Sequence, residues 1–185
     1  GPFSVIRFTA QRPSDPQPLF TTDAPDGVAF AQTPRAQTLG LQRARFMVRV
    51  LDAVRSHNGY FCSEHPVGRG AGTIFESKDA LRHSTLHDTT VVRAAVQRHD
   101  LRVIYTDQGM YGASTRKSTE LLCTSDLRPH LQLALSTRLG APADGVSLRG
   151  RDAEGNFLTR SAEVYPVEFC RRLGHAVTVL LRERY

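Results

Sequence analysis

Long apolar runs are missing from this 185-residue chain. None approaches the roughly 20 residues that cross a bilayer, so no membrane partner is expected, and no signal-peptide pattern opens the sequence. Cysteine is scarce. Cys62, Cys123 and Cys170 are the three, and none forms a Cys-x-x-Cys pair. That argues against a thiolate zinc site and a disulfide framework, and fits a reduced, intracellular setting with the nucleus as one candidate compartment. Lysine is nearly absent, since Lys78 and Lys117 are the only two, and the formal charge of +6 rests on arginine. Internal repeats are missing as well.

What is present is ordinary for a globular domain: 40% hydrophobic and 23% charged residues, and enough length to bury a core. Gly1-Pro2 reads as the scar of a removed tag, so the natural chain is expected to be longer. Arginine suits bidentate contacts to phosphates and bases. DNA or RNA is therefore an expected partner, beside a GC-rich genome as the plain source of the bias.

Val5–Ala10 reads as a strand, and residues 11–27 hold Pro13, Pro16, Pro18, Pro25 and Gly27, a loop composition. Val28–Ala31 reads as a second strand. From about Gln37 to His57, Phe46, Met47, Val50, Leu51 and Val54 recur at helical spacing with arginines opposite. Tyr60–Ser63 reads as a strand. Residues 78–99 read as helical with a break near Asp88, Leu101–Thr106 as a buried strand, and Leu121–Cys123 as another. Asp126 suits the cap of a helix over Leu127–Leu135. Residues 140–160 read as glycine-spaced loop. Pro166 suits the first turn of a last helix, with Phe169, Leu173, Val177 and Leu180 as its apolar stripe. Strands alternating with helices predict an α/β, Rossmann-like layered domain, its mainly parallel sheet flanked by helices.

Two segments carry the candidate chemistry. In Tyr60-Phe61-Cys62-Ser63-Glu64-His65-Pro66-Val67-Gly68, an apolar strand delivers an acid to a proline and glycine turn. In a parallel sheet that rim is where ligands bind. Arg102 to Gly112 repeats the design, delivering Asp107 and Gln108 to a Met-Tyr-Gly turn, and Lys117-Ser118-Thr119 enters the next strand. The expected pocket rim is Glu64, His65, Pro66, Asp107, Gln108 and Tyr111. Expected nucleic-acid contacts are Arg43, Arg45 and Arg49 on the arginine helix, where Arg55 also lies, with Arg69, Arg116 and Lys117. Arg149, Arg151 and Arg160 could add a second strip.

The order Glu-His-Pro-Val-Gly, Asp-Gln-x-Met-Tyr-Gly, Lys-Ser-Thr-x-Leu-Leu-x-Thr-Ser, closing on Tyr165-Pro166-Val167-Glu168-Phe169-Cys170, resembles the cytosine-5 DNA methyltransferase-like domain of some phages and retroelement polyproteins. The resemblance covers about Val28 to Tyr185. It implies a Rossmann-like fold in which Glu64 matches the glutamate that holds a flipped base. With the N-terminal strand and proline-rich loop read over 1–27, the expected layout is that segment followed by one methyltransferase-like α/β domain over 28–185.

Two departures bear on chemistry. The stretch Val28–Arg35, where active members carry the nucleophile, has no cysteine, and covalent attack needs a thiolate. The glycine loop for S-adenosylmethionine is missing after Val5–Ala10. The expectation is a catalytically degenerate, nucleic-acid-binding module with no cofactor and no confident catalytic residue. Alternatives are an active S-adenosylmethionine-dependent fragment and a protein-interaction scaffold bound to a partner or to the rest of a larger polypeptide.

Lesser candidates read as structural. His83 and His87, at i and i+4, lack the glutamate of a metal motif and read as exposed helix residues, so no metal is expected. Cys62 and Cys123 read as small core thiols. Gly68–Gly72 lacks the Lys-Ser/Thr ending of a phosphate loop and reads as a flexible turn.

Overall fold

The computed structural model describes residues 20, 23–27, 34–66, 85–113, 117–136 and 165–184. The strands expected at Val5–Ala10 and Val28–Ala31, the loop over 140–160 and Gly68–Gly72 lie outside them. The elements are α1 (Pro34–Ser56), β1 (Cys62–Pro66), a 3-10 turn (Leu86–Asp88), α2 (Thr90–Arg98), β2 (Leu101–Asp107), a second 3-10 turn (Gln108–Tyr111), β3 (Ser118–Thr124), α3 (Arg128–Ser136) and α4 (Val167–Arg184). None of the described helices is long and apolar enough to cross a membrane.

The described strands, three in number, make a small antiparallel sheet. This corrects the expected Rossmann-like fold with its mainly parallel sheet. The reason is visible in one connection. Parallel neighbours need a crossover of a dozen residues or more, whereas β2 and β3 are joined by Gln108 to Lys117, part of which is a single 3-10 turn. The chain folds straight back. The Gln108 amide donates to the Lys117 carbonyl at 3.0 Å, and the Cys123 thiol approaches the Arg102 carbonyl at 3.6 Å, a register that only antiparallel strands produce. Such a sheet has no edge made solely of strand carboxyl ends, so the rim argument loses its geometric basis.

The chain divides into two compact units, Gly1–Leu101 and Arg102–Tyr185. In the first, Pro34 opens α1, where its missing N–H costs nothing. Gly40, Ala44, Val48 and Leu51 are buried along one side, and α1 packs on α2, which buries Val92 and Ala95. The helix stops in a left-handed turn at Asn58, φ 54°, and the Gly59 amide donates to the Val54 carbonyl at 2.8 Å. A Cβ on Gly59 would stand 2.8 Å from a Val54 methyl and 2.9 Å from its carbonyl oxygen, so this approach requires glycine. Asp52 joins the helices from outside: its Oδ1 accepts from the Arg98 guanidinium at 2.7 Å and meets His99 Nε2. Those contacts hold its carboxyl below the usual aspartate range.

Of the helical stretch expected over 78–99, residues 78–84 lie outside the described residues. Thr85 Oγ1 accepts from the His87 amide and Asp88 Oδ2 accepts from the Thr85 amide, a reciprocal cap that opens the 3-10 turn Leu86–Asp88, and α2 begins separately at Thr90.

In the second unit β3 is buried from Thr119 through Thr124, whereas β2 exposes Arg102 and Tyr105. The fully buried strand is therefore β3, and the sequence reading of β2 as buried is corrected. The expected cap at Asp126 is not the one used: α3 starts at Arg128, and Asp126 Oδ1 accepts from the adjacent Leu127 amide at 3.1 Å within the turn that precedes the helix, not from an amide of its first turn. Helices α3 and α4 pack together, burying Leu131 and Leu135 on one and Phe169, Ala176 and Leu180 on the other. Val177 sits at the exposed margin of the stripe. Burial pushes the Cys123 thiol up to about 11, as suits a core residue.

Candidate nucleic-acid interface

The side of α1 away from its packed face is a field of arginine. The helix carries five arginines, Arg35, Arg43, Arg45, Arg49 and Arg55, against one acid, Asp52. Arg55 is used locally, donating to the Gly59 carbonyl at 3.0 Å, and Asp52 is committed to Arg98 and His99. Arg35, Arg43, Arg45 and Arg49 are exposed, and among the described residues none of these four makes an ion pair or side-chain hydrogen bond. Four guanidiniums without a carboxylate partner leave an uncompensated positive potential along the helix.

Apolar side chains lie within that field. Leu39, Phe46 and Val50 are exposed, Phe46 at 66%. Their spacing, seven and then four residues, returns to within roughly 20° of one line on a helix. Sequence periodicity assigned Phe46 and Val50 to the core, and the structure reverses both. The inward face is Gly40, Ala44, Val48 and Leu51, half of it small residues, and Leu39, Phe46 and Val50 lie on the outer line. The i, i+7, i+11 recurrence was the signal that could have shown this. Arg35 was likewise missed.

The expected rim residues fall into two groups, one in each unit. In the first, Glu64 is half-buried on β1 and His65 is buried beside it. His65 Nδ1 lies 2.9 Å from the Pro66 carbonyl oxygen, and its ring stands 5.5 Å from the ring of His87. His87 is buried, not an exposed helix residue as the sequence suggested, and its Nε2 reaches Ser63 Oγ at 3.4 Å. Ser63 in turn donates to Met47 Sδ on α1 at 3.2 Å. Cys62 is exposed, against the expected core role. β1 therefore carries its polar residues into packing with neighbouring elements.

In the second unit Asp107, 2% exposed, and the fully buried Gln108 hold the β2–β3 connection. Asp107 Oδ1 accepts from the Gly109 amide at 2.9 Å and from the Lys117 amide at 3.0 Å. Gln108 Nε2 donates to Thr119 Oγ1 at 2.9 Å, and that hydroxyl donates to the Lys117 carbonyl. Gly112 closes the turn at φ 93°, a conformation open to glycine. Tyr111 is buried, its hydroxyl donating to the Leu135 carbonyl at 2.7 Å.

The ring of Tyr111 lies 5.6 Å from Phe169 and 5.6 Å from the Arg172 guanidinium, which also binds Glu168 and donates to the Ala134 carbonyl. Lys117 places its ammonium 4.4 Å over the Tyr165 ring. These motif residues build a turn and a helix junction.

Of the expected contacts, Arg43, Arg45 and Arg49 share one exposed helix, while Arg69, Arg116, Arg149, Arg151 and Arg160 lie outside the described residues. No group of three or more metal-ligating side chains occurs among the described residues. Comparison with protein-family models, curated proteins and solved structures found no match.

Proposed function

We propose that this protein binds nucleic acid through the exposed face of α1, and that it does so as a binding module. The observation that carries this reading is the set of four exposed guanidiniums, Arg35, Arg43, Arg45 and Arg49, with no carboxylate partner among the described residues. A solvated helix face commonly alternates charges of both signs, which α1 does not do. Here the one acid of α1 is occupied elsewhere. A polyphosphate is the ligand that answers unpaired guanidiniums spread over the exposed side of one helix, through bidentate contacts and release of counterions.

The test is a salt series on binding to fluorescently labelled oligonucleotides. With four phosphate contacts, log K against log salt should have a slope of about −3 to −4. Replacing Arg43, Arg45 and Arg49 together by Gln should reduce that slope by about 2 to 3. A slope near zero in the parent protein, or a triple variant that binds as the parent does, would refute the reading. Absence of binding at low salt would favour the protein scaffold, with Leu39, Phe46 and Val50 as its contact line.

A further inference from the structure

We infer that the α1 surface takes single-stranded nucleic acid, with a base stacked on the ring of Phe46; this rests on the reading of α1 as a nucleic-acid surface and names the form of the ligand. Phe46 is exposed at 66% in the middle of the helix, with Arg43 three residues before it and Arg49 three residues after. Positions three apart on a helix have Cβ atoms about 5–6 Å from one another. The phenyl ring is thus bracketed by two guanidiniums that carry no other partner among the described residues. Leu39 and Val50 continue the line on either side, so the apolar strip runs about 16 Å.

A duplex offers that ring less, a thymine methyl in the major groove or, at the cost of a kink, a base step to wedge open. Its base faces are covered by stacking, and it offers phosphates and groove edges to a helix. A single strand offers both halves of what α1 displays: phosphates for the arginines and unstacked base faces for an aromatic platform. Arginine planes can also lie on bases, which lysine cannot do, and every cation on this helix is arginine.

Charge complementarity decides against two other occupants of an exposed apolar line, a second copy and a membrane. A second copy laid on this face would bring the unpaired arginines of both copies together, with the acid of each α1 already committed to Arg98 and His99. A membrane surface would have to admit Phe46 to the acyl boundary. Arg35 and Arg43 flank Leu39 at four residues on each side, within the same line, so immersing the apolar strip immerses guanidiniums with it.

The chain has no tryptophan, which makes Phe46→Trp a single-site reporter at the proposed platform. The full chain would be titrated with oligothymidylate and oligouridylate, with a duplex of matched length, and with vesicles containing phosphatidylserine. Quenched indole emission on single strands, with tighter binding to them than to the duplex at equal salt, is the expected result. Phe46→Ala should lose between about 5- and 100-fold for single strands, little for the duplex, and Phe46→Tyr should restore the loss.

Equal losses on both forms, indole emission of the Phe46→Trp variant that does not change on binding, or a response to vesicles alone would overturn the stacking role. The arginine triple variant separates the two levels. If it weakens both nucleic acids while Phe46→Ala weakens neither, the surface stands and the platform falls. If no nucleic acid binds at low salt, both fall.

Discussion

Removing the carboxylate of Asp107 should destabilise the protein and leave nucleic-acid affinity alone. Its Oδ1 accepts two backbone amides, from Gly109 at 2.9 Å and from Lys117 at 3.0 Å, at a site that is 2% exposed. Asp107→Ala takes away both bonds and gives the amides no water in return. An unsatisfied buried donor costs about 1–3 kcal/mol, so the pair costs about 2–6 kcal/mol, a large share of a typical domain's stability. Asp107→Asn keeps an acceptor oxygen in place and should cost less, on the order of 1 kcal/mol.

Urea denaturation followed by far-ultraviolet circular dichroism measures both. The two variants should shift the midpoint in that order without changing the slope. Oligonucleotide binding, measured below the unfolding transition, should match the parent. A midpoint unmoved in Asp107→Ala, together with lost binding, would refute the assignment and return Asp107 to a ligand site.

Three further outcomes follow from the same geometry. Glu168 is held down to about 2 by hydrogen bonds from Arg171 and then Arg172; its contribution is therefore complete above its ordinary value near 4.5 and is lost as pH falls from there toward 2, a window that Glu168→Gln should flatten in acid-unfolding curves. Among the thiols, exposed Cys62 and Cys170 should react rapidly with a disulfide reagent at neutral pH while buried Cys123 reacts only on unfolding, and three equally fast thiols would contradict the described packing. Gly59→Ala should lower stability by about 1–3 kcal/mol in thermal or urea melts, because its methyl would overlap Val54; an unchanged melt would show that the turn relaxes freely.

Helix α1 was legible because apolar residues recur at helical spacing from Phe46 to Val54 in a stretch without proline, yet its orientation was read wrongly. Gly40 and Ala44 bury little area, so they carry little weight in a hydrophobicity pattern although they lie on the buried face. The last helix was legible from local signals, a proline and an apolar stripe. Strand direction was not. Pairing is a property of two distant segments, and alternation of helices with strands suggested crossovers that the short Gln108–Lys117 connection cannot make.

Asp107 and Gln108 illustrate a second limit. An acid–amide pair beside a glycine turn looks the same in sequence whether it faces a ligand or the chain's own amides. Here the partners are backbone groups and a threonine, which no motif announces. His87 misled for a similar reason, since its burial against His65 depends on how the 3-10 turn meets β1.

Arg172 gives the second unit a common point of failure. One guanidinium serves the first turn of α4 through Glu168, the end of α3 through the Ala134 carbonyl, and the aromatic cluster through the face of Tyr111. A lysine there would keep the charge but could satisfy only part of this fan, because its ammonium is a point and not a plane. The two helix ends and the ring are therefore expected to loosen in one event, so that backbone amides around Leu135 and Cys170 exchange with solvent at a shared opening rate.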